Sequence, residues 1–181
     1  YLVAAPGRLG RRAAQLAAAA ATVLVTSLWW VGIVEAIPAS ERPYVGGSET
    51  NSALDLLLGY NGLGRLLGEA PGGLGRGPTG SPFGGEAGVL RLLNDQFGGQ
   101  VGWLVPLALV ALAAGMWLTR RAPRTDVRRA GYMLWGGWLL THAAVFSFMS
   151  GLVHPYYSVV LAPAIGALVG GGLVDLWAWR A

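Results

Sequence analysis

Two short stretches hold most of the side chains able to do chemistry in this 181-residue chain. In Gly151-Leu-Val-His154-Pro155-Tyr156-Tyr157-Ser158 an imidazole that titrates near neutrality stands beside two phenols, groups that can hold a phosphate oxygen or a sugar hydroxyl. The same residues suit an aromatic belt with a helix-starting proline. In Tyr60-Asn61-Gly62-Leu63-Gly64-Arg65 the planar fork of Arg65 suits an anionic group, and the glycines let backbone come close to it. Arg42 and Tyr44 lie near enough in sequence to join Tyr60, Asn61 and Arg65, although a solvated loop is the simpler reading. No acid pair, nucleophile–base arrangement or metal quartet is recognisable, since Glu41, Glu49, Asp55, Glu69, Glu86 and Asp95 are scattered. Cysteine is absent, which excludes disulfides, thiolate metal sites and cysteine nucleophiles. Gly62, Gly64 and Gly68 do not follow the dinucleotide fingerprint, and no strand precedes them.

The elements that must position these groups are four apolar stretches at about 13–37, 101–118, 130–150 and 157–179, each long enough to cross about 30 Å of hydrocarbon. The expected fold is an all-α membrane protein of about four transmembrane helices with a long extracytoplasmic loop that carries short surface helices. Arg8, Arg11 and Arg12 precede the first stretch; Arg120, Arg121, Arg124, Arg128 and Arg129 fill the link between the second and third; Arg180 follows the fourth. The positive-inside bias therefore predicts a multi-pass protein of the plasma membrane with both ends cytoplasmic and residues 38–100 and 151–156 outside. Both chemistry-bearing stretches then face one compartment. The net charge of +4 belongs to the inner loops, where it orients the chain and meets anionic lipid heads. Nucleic-acid binding would need a basic face on a folded domain. Tyr1 is no initiator and the first stretch lacks a signal-cleavage pattern, so the chain reads as one membrane unit within a longer protein.

Within the outer loop, Ser52 and Asp55 have capping-box spacing and predict a short helix over 51–58. The glycine-rich part, 72–85, reads as a flexible tether. Val89, Leu90, Leu92, Leu93 and Phe97 follow helical spacing, with Arg91, Asn94 and Asp95 between them, which predicts an amphipathic surface helix over 86–97. Glu35 reads as an interfacial carboxylate, solvated or arginine-paired, with a ligand contact as the alternative. His142 reads as an interhelical contact, Asp175 as a carboxylate served near Arg180 and the inner interface by an ion pair or by snorkelling, and Ala162, Gly166 and Gly170 as a small-residue packing ridge. Pro106 and Pro163 predict mild kinks.

The strings Arg42-Pro-Tyr-Val-Gly-Gly-Ser48, Leu58-Gly-Tyr-Asn-Gly-Leu-Gly-Arg65, Arg91-Leu-Leu-Asn94 with Gly98-Gly-Gln100, and Phe148-Met-Ser-Gly151 with His154-Pro-Tyr-Tyr157 and Leu161-Ala-Pro163 resemble the bacterial membrane glycosyltransferases of family 39. These are relatives of the protein O-mannosyltransferases and the lipid A aminoarabinose transferase. The resemblance implies a GT-C architecture that takes a sugar from a polyprenyl-phosphate donor and delivers it to a protein, lipid or glycan acceptor on the outer face. With no metal quartet among the residues, neither a metal ligand nor a cofactor beyond the donor sugar is expected in this chain. The family's acidic catalytic residue sits in the first outer loop, expected upstream of Tyr1, so no catalytic residue is carried over and the chain alone should be inactive. The His154-Pro155-Tyr156-Tyr157 corner and the Arg65 loop are carried over as parts of the donor pocket. A transporter or channel subunit, with His142 and kinked spans lining a path, is the rival class, and a scaffold with a partner-binding outer loop is a third.

Overall fold

The computed structural model describes residues 1–68, 84–151 and 153–180, with Arg65 described by its backbone alone. Of the predicted tether over 72–85 only Gly84 and Gly85 are among them. Every regular element among the described residues is helical: α1 (Leu9–Ala36), α2 (Ala53–Asp55) running into a π turn (Leu56–Tyr60), α3 (Leu63–Leu67), α4 (Val105–Leu118), α5 (Val127–Phe148) and α6 (Ala162–Trp179). Short 3₁₀ turns at Arg91–Leu93, Gly102–Leu104 and Pro155–Leu161 join the later helices.

Two helical runs, Leu9–Ala36 and Pro155–Trp179, are long and apolar enough to cross a membrane. Gly102–Leu118 is apolar but shorter. The third predicted span is a 22-residue helix, α5, whose apolar character is diluted by Tyr132, Trp135, Trp138, Thr141, His142 and three glycines. Pro106 and Pro163 occupy the first turns of α4 and α6, where the missing N–H has no helical acceptor to lose. Both stand where a regular α-helix begins.

The core lies among α4, α5 and α6. Ala108 and Ala111 of α4, Leu139 of α5, and Ala164, Ile165 and Leu168 of α6 are buried. Small residues set how closely the axes approach. A Cβ on Gly172 would lie 2.7 Å from the Cβ of Ala111, and one on Gly136 would lie 2.5 Å from Leu112. Gly115 is tighter still, because the ring of Tyr132 covers it at 2.1 Å from a built Cβ. The ridge in contact is thus Ala164–Leu168–Gly172, and not Ala162–Gly166–Gly170: a Cβ on Gly166 or Gly170 meets open space. Both ridges have four-residue spacing and small members, and two residues of offset turn a helix by about 200°. Spacing shows that a ridge exists; the partner helix decides which one is used.

Asp175 forms one of the arrangements expected for it, an ion pair, but with a cation more distant in sequence than Arg180. Its carboxylate pairs with the guanidinium of Arg128 and accepts a 2.8 Å hydrogen bond from the hydroxyl of Tyr132, while Arg180 stacks on Trp177 instead. Arg128 and Tyr132 stand four residues apart on α5, so one helical face presents both to α6. His142 also finds its partner close by: Nδ1 lies 2.8 Å from the carbonyl of Trp138, one turn back, and the two rings stack at 4.9 Å. The interhelical bond on that face is made by Trp138, whose indole N–H donates to the carbonyl of Val160 at 2.9 Å.

Along α1 only Arg12 and Val34 are buried, and Trp29 and Trp30 are exposed. Arg124 ties the α4–α5 link to the segment before α1 by donating to the carbonyls of Ala5 (2.7 Å), Val3 and Gly7. The two arginine-bearing segments therefore share one end of the molecule. The turns at Gly102–Leu104 and Pro155–Leu161 open α4 and α6 at the other end.

Candidate functional site

The end of α1 is fixed by a carboxylate–guanidinium pair. Glu35 Oε2 lies 2.9 Å from Arg42, and Glu35 Oε1 accepts from the Ser52 hydroxyl (2.8 Å) and the Leu54 N–H (3.1 Å). Arg42 further donates to the carbonyls of Ile37 (2.6 Å), Glu35 (2.8 Å) and Asn51 (3.2 Å). Its fork is thus occupied by the chain itself, and Arg42 acts here as a clamp on the loop that follows α1. Glu35 is arginine-paired, one of the states expected for it.

Ser52 caps α2 as its spacing predicts, accepting from the Asp55 N–H at 3.1 Å. The reciprocal arm of a capping box is diverted: Asp55 accepts from the Ser48 hydroxyl, whose oxygen takes the Ser52 N–H. The helix predicted over 51–58 is one α turn that widens into the π turn ending at Tyr60. The Tyr60 ring lies over Gly47, which has φ +89° and whose Cβ would come within 3.3 Å of it. Asn61 closes the π turn through its N–H to the carbonyl of Leu56. Chain reversal at Gly62 then starts α3, which carries Arg65.

α3 docks on Ser150, the residue just before the His154 stretch. The Ser150 N–H donates to the carbonyl of Leu66 at 2.9 Å, and Gly68, at φ +82°, ends α3 with its Cβ position 3.1 Å from Ser150. Beyond Ser150 the chain turns at the buried Val153 into the Pro155–Leu161 turn. There His154 stacks on Tyr156 at 5.1 Å and 13° and meets Tyr157 edge-on at 5.6 Å; the two tyrosines contact each other at 4.9 Å and 87°. The three predicted side chains form one aromatic cluster. Tyr156 is exposed, while His154 and Tyr157 are half-buried. Such a surface offers flat faces for a sugar or an isoprenoid and polar edges for phosphate oxygens.

What holds this corner in place is a group that sequence reasoning assigned to a polar helix face. Residues 86–97 do not form an amphipathic helix; a single 3₁₀ turn, Arg91–Leu93, is present. Asn94 ends it, because its side-chain oxygen takes the N–H groups of Gln96 (2.9 Å) and Phe97 (3.0 Å), bonds that compete with a helical ladder. Arg91 is 4% exposed and donates to the carbonyls of Met149 (2.7 Å) and Phe146 (3.3 Å). A cation there faces the partial negative charge at the C-terminus of α5. Burial lowers the pKa of the guanidinium, and the charge of Glu86 opposes the shift. The Gly88 N–H to Ser147 carbonyl bond (2.8 Å), the contact of Gly84 with Val153 and Phe97, and the bond from the buried Ser158 hydroxyl to Gln100 (2.9 Å) complete the attachment. Arg91, Asn94 and Gln100 stand in the strings that carry the family resemblance, which was the available signal; periodicity had pointed the other way.

The structure thus unites His154, Tyr156 and Tyr157, ties the helix of Arg65 to Ser150 just before them, and removes Arg42 to the end of α1. Among the described residues no group of three or more His, Asp or Glu could hold a metal ion.

The chain is similar to two curated proteins of Bacillus subtilis (strain 168). One is described as "Putative mannosyltransferase YkcB", 29% identical over 97% of this chain and 36% of the relative. The other is described as "Putative mannosyltransferase YycA", 28% identical over 95% of this chain and 36% of the relative. The resemblance to bacterial mannosyltransferase-like glycosyltransferases therefore runs through almost the whole chain, which spans about a third of the length of these relatives. No family model matches the chain, and no solved structure matches it.

Proposed function

We propose that this chain is part of a multi-pass membrane glycosyltransferase of GT-C architecture, which moves a sugar from a polyprenyl-phosphate carrier to an extracytoplasmic acceptor. The observation that carries the reading is the junction at Ser150 and Leu66, where two stretches distant in sequence meet beside an aromatic cluster. That junction lies away from the arginine-bearing segments, which Arg124 gathers at the opposite end. Positive-inside orientation then supports four spans, cytoplasmic ends, and a corner that opens outward.

A phosphate-linked sugar on a long isoprenoid has to be gripped where bilayer meets water. Tyr156 and Tyr157 would face the carrier or its sugar, His154 would hold a phosphate oxygen or a sugar hydroxyl, and Arg65, with Tyr60 and Asn61 on the preceding turn, would approach the phosphate. Donors aimed at a leaving phosphate stabilise the charge that grows on it as the glycosidic bond breaks, a contribution of about 3 kcal/mol per well-placed group. The base that activates the acceptor would come from the part of the relatives this chain does not span. Arg42 would act through the loop alone.

The test is transfer from a polyprenyl-phosphate sugar by the complete encoded protein. His154→Ala and Arg65→Ala should each lower turnover by about 100-fold with helix content unchanged. Full turnover in both variants would remove the corner from the reaction.

A further inference from the structure

The arginine-rich end carries a second feature that sugar transfer at the opposite end does not use. The Arg128–Asp175–Tyr132 network stands between two cavities. One, of about 160 Å³, runs between α5 and α6 and is walled by Gly131, Trp135, Ala167 and Gly171. The other, of about 220 Å³, is bordered by Thr119, Ala178 and Trp179. Arg128 and Asp175 border both, so an apolar groove and a more polar recess share one guanidinium.

The glycines of the groove are not explained by helix packing. Gly172 and Gly115 are needed because Ala111 and the Tyr132 ring press against them. A Cβ on Gly131 would meet nothing within 4 Å, and one on Gly171 only the Tyr132 oxygen at an ordinary 3.7 Å. Their effect is to keep the groove open. Asp175 engages one side of Arg128, whose side chain remains 59% exposed, so other donors of its five-N–H fork face outward. Arg120, Arg121, Arg124, Arg129 and Arg180 lie in the adjoining segments, with Asp126 and Asp175 as the acids among them.

We propose that this end binds an anionic phospholipid, its phosphate on the outward donors of Arg128 and the first part of one acyl chain in the groove between α5 and α6. The charge chooses the headgroup and the apolar walls choose the chain. The groove is too small for a whole lipid, so the remaining chain would lie along α5 and α6 in the bilayer. The inference rests on the reading of those helices as membrane spans.

The experiment uses the complete encoded protein in mild detergent, offered phosphatidylglycerol or phosphatidylcholine with identical chains, with retained lipid counted by native mass spectrometry. Phosphatidylglycerol should be retained about fivefold better, the preference expected of one arginine at a lipid surface. Arg128→Gln should erase that preference. Gly171→Leu, or Gly131→Leu where the first variant fails to fold, should fill the groove and lower retention of phosphatidylglycerol by about tenfold, since a few methylenes lose their apolar contact. Equal retention in folded groove variants, or equal binding of both lipids by the native sequence, overturns the proposal. Flotation with vesicles and sugar transfer are measured on the same samples. A protein that does not float refutes the membrane reading and this inference together; one that floats and transfers, with groove variants still holding phosphatidylglycerol, refutes this inference alone.

Discussion

Replacing Arg91 by methionine keeps a long flexible stem in the same space and removes the charge and the donors. Among its bonds the native guanidinium donates to Met149 at 2.7 Å, to Phe146 at 3.3 Å and to Gly84 at 3.4 Å. A charge-assisted bond of the first kind contributes about 1.5–3 kcal/mol, and the carbonyls left without a donor at the end of α5 add about 1 kcal/mol or more. Against this stands the unfavourable burial of the cation, which Arg91→Met relieves and which the lowered guanidinium pKa records. The net expectation is about 2–4 kcal/mol, felt locally because Arg91 ties a loop to a helix end and lies outside the α4–α6 core. Hydrogen exchange reads it directly. The amides of Gly88 and Ser150, bonded to Ser147 and Leu66, should lose about 30- to 900-fold in protection, at 1.36 kcal/mol per tenfold. Amides in the middle of α6, around Leu168, should not change. Arg91→Lys, with a point charge able to keep the Met149 bond but no fork, should fall between. A change below threefold at Gly88 and Ser150, or equal losses in α6, would mean that the corner is held without the guanidinium.

Gly115→Ala drives a methyl into the Tyr132 ring, which must swing and release Asp175; overpacking of this kind costs about 1–3 kcal/mol and should lower the Tm in detergent. Gly166→Ala, facing open space on the same bundle, should instead leave the Tm unchanged or raise it by the helix-propensity gain of about 0.5–1 kcal/mol. Ser52→Ala removes the cap of α2 together with a bond to Glu35, so protection of the Asp55 amide should fall by about 1–2 kcal/mol, while Ser52→Thr should retain most of it.

Much of the frame is legible in the residues. A long apolar run satisfies its backbone polar groups within itself when it is helical, and α1 and the Pro155–Trp179 helix, both long and apolar enough to cross a membrane, follow that rule. Ser52 announces its cap through the residue three places on, and His154, Tyr156 and Tyr157 form a cluster because they are neighbours in sequence. Local rules of this kind need only a few residues of context.

The interior depends on partners distant in sequence. Arg91 looked like a surface charge because its neighbours alternate like a helix, whereas the carbonyls of Phe146 and Met149, more than fifty residues away, take its guanidinium into the interior. Asp175 took Arg128 over Arg180 because α5 brings Arg128 and Tyr132 to it on one face. The ridge of Gly172 prevailed over that of Gly166 because Ala111 lies opposite. Sequence by itself determined the long apolar helices, where arginine gathers and which side chains could do chemistry. Tertiary structure alone decided which faces meet and which charges find partners, because a buried polar group takes the nearest donor or acceptor in space, and chain separation does not enter that energy.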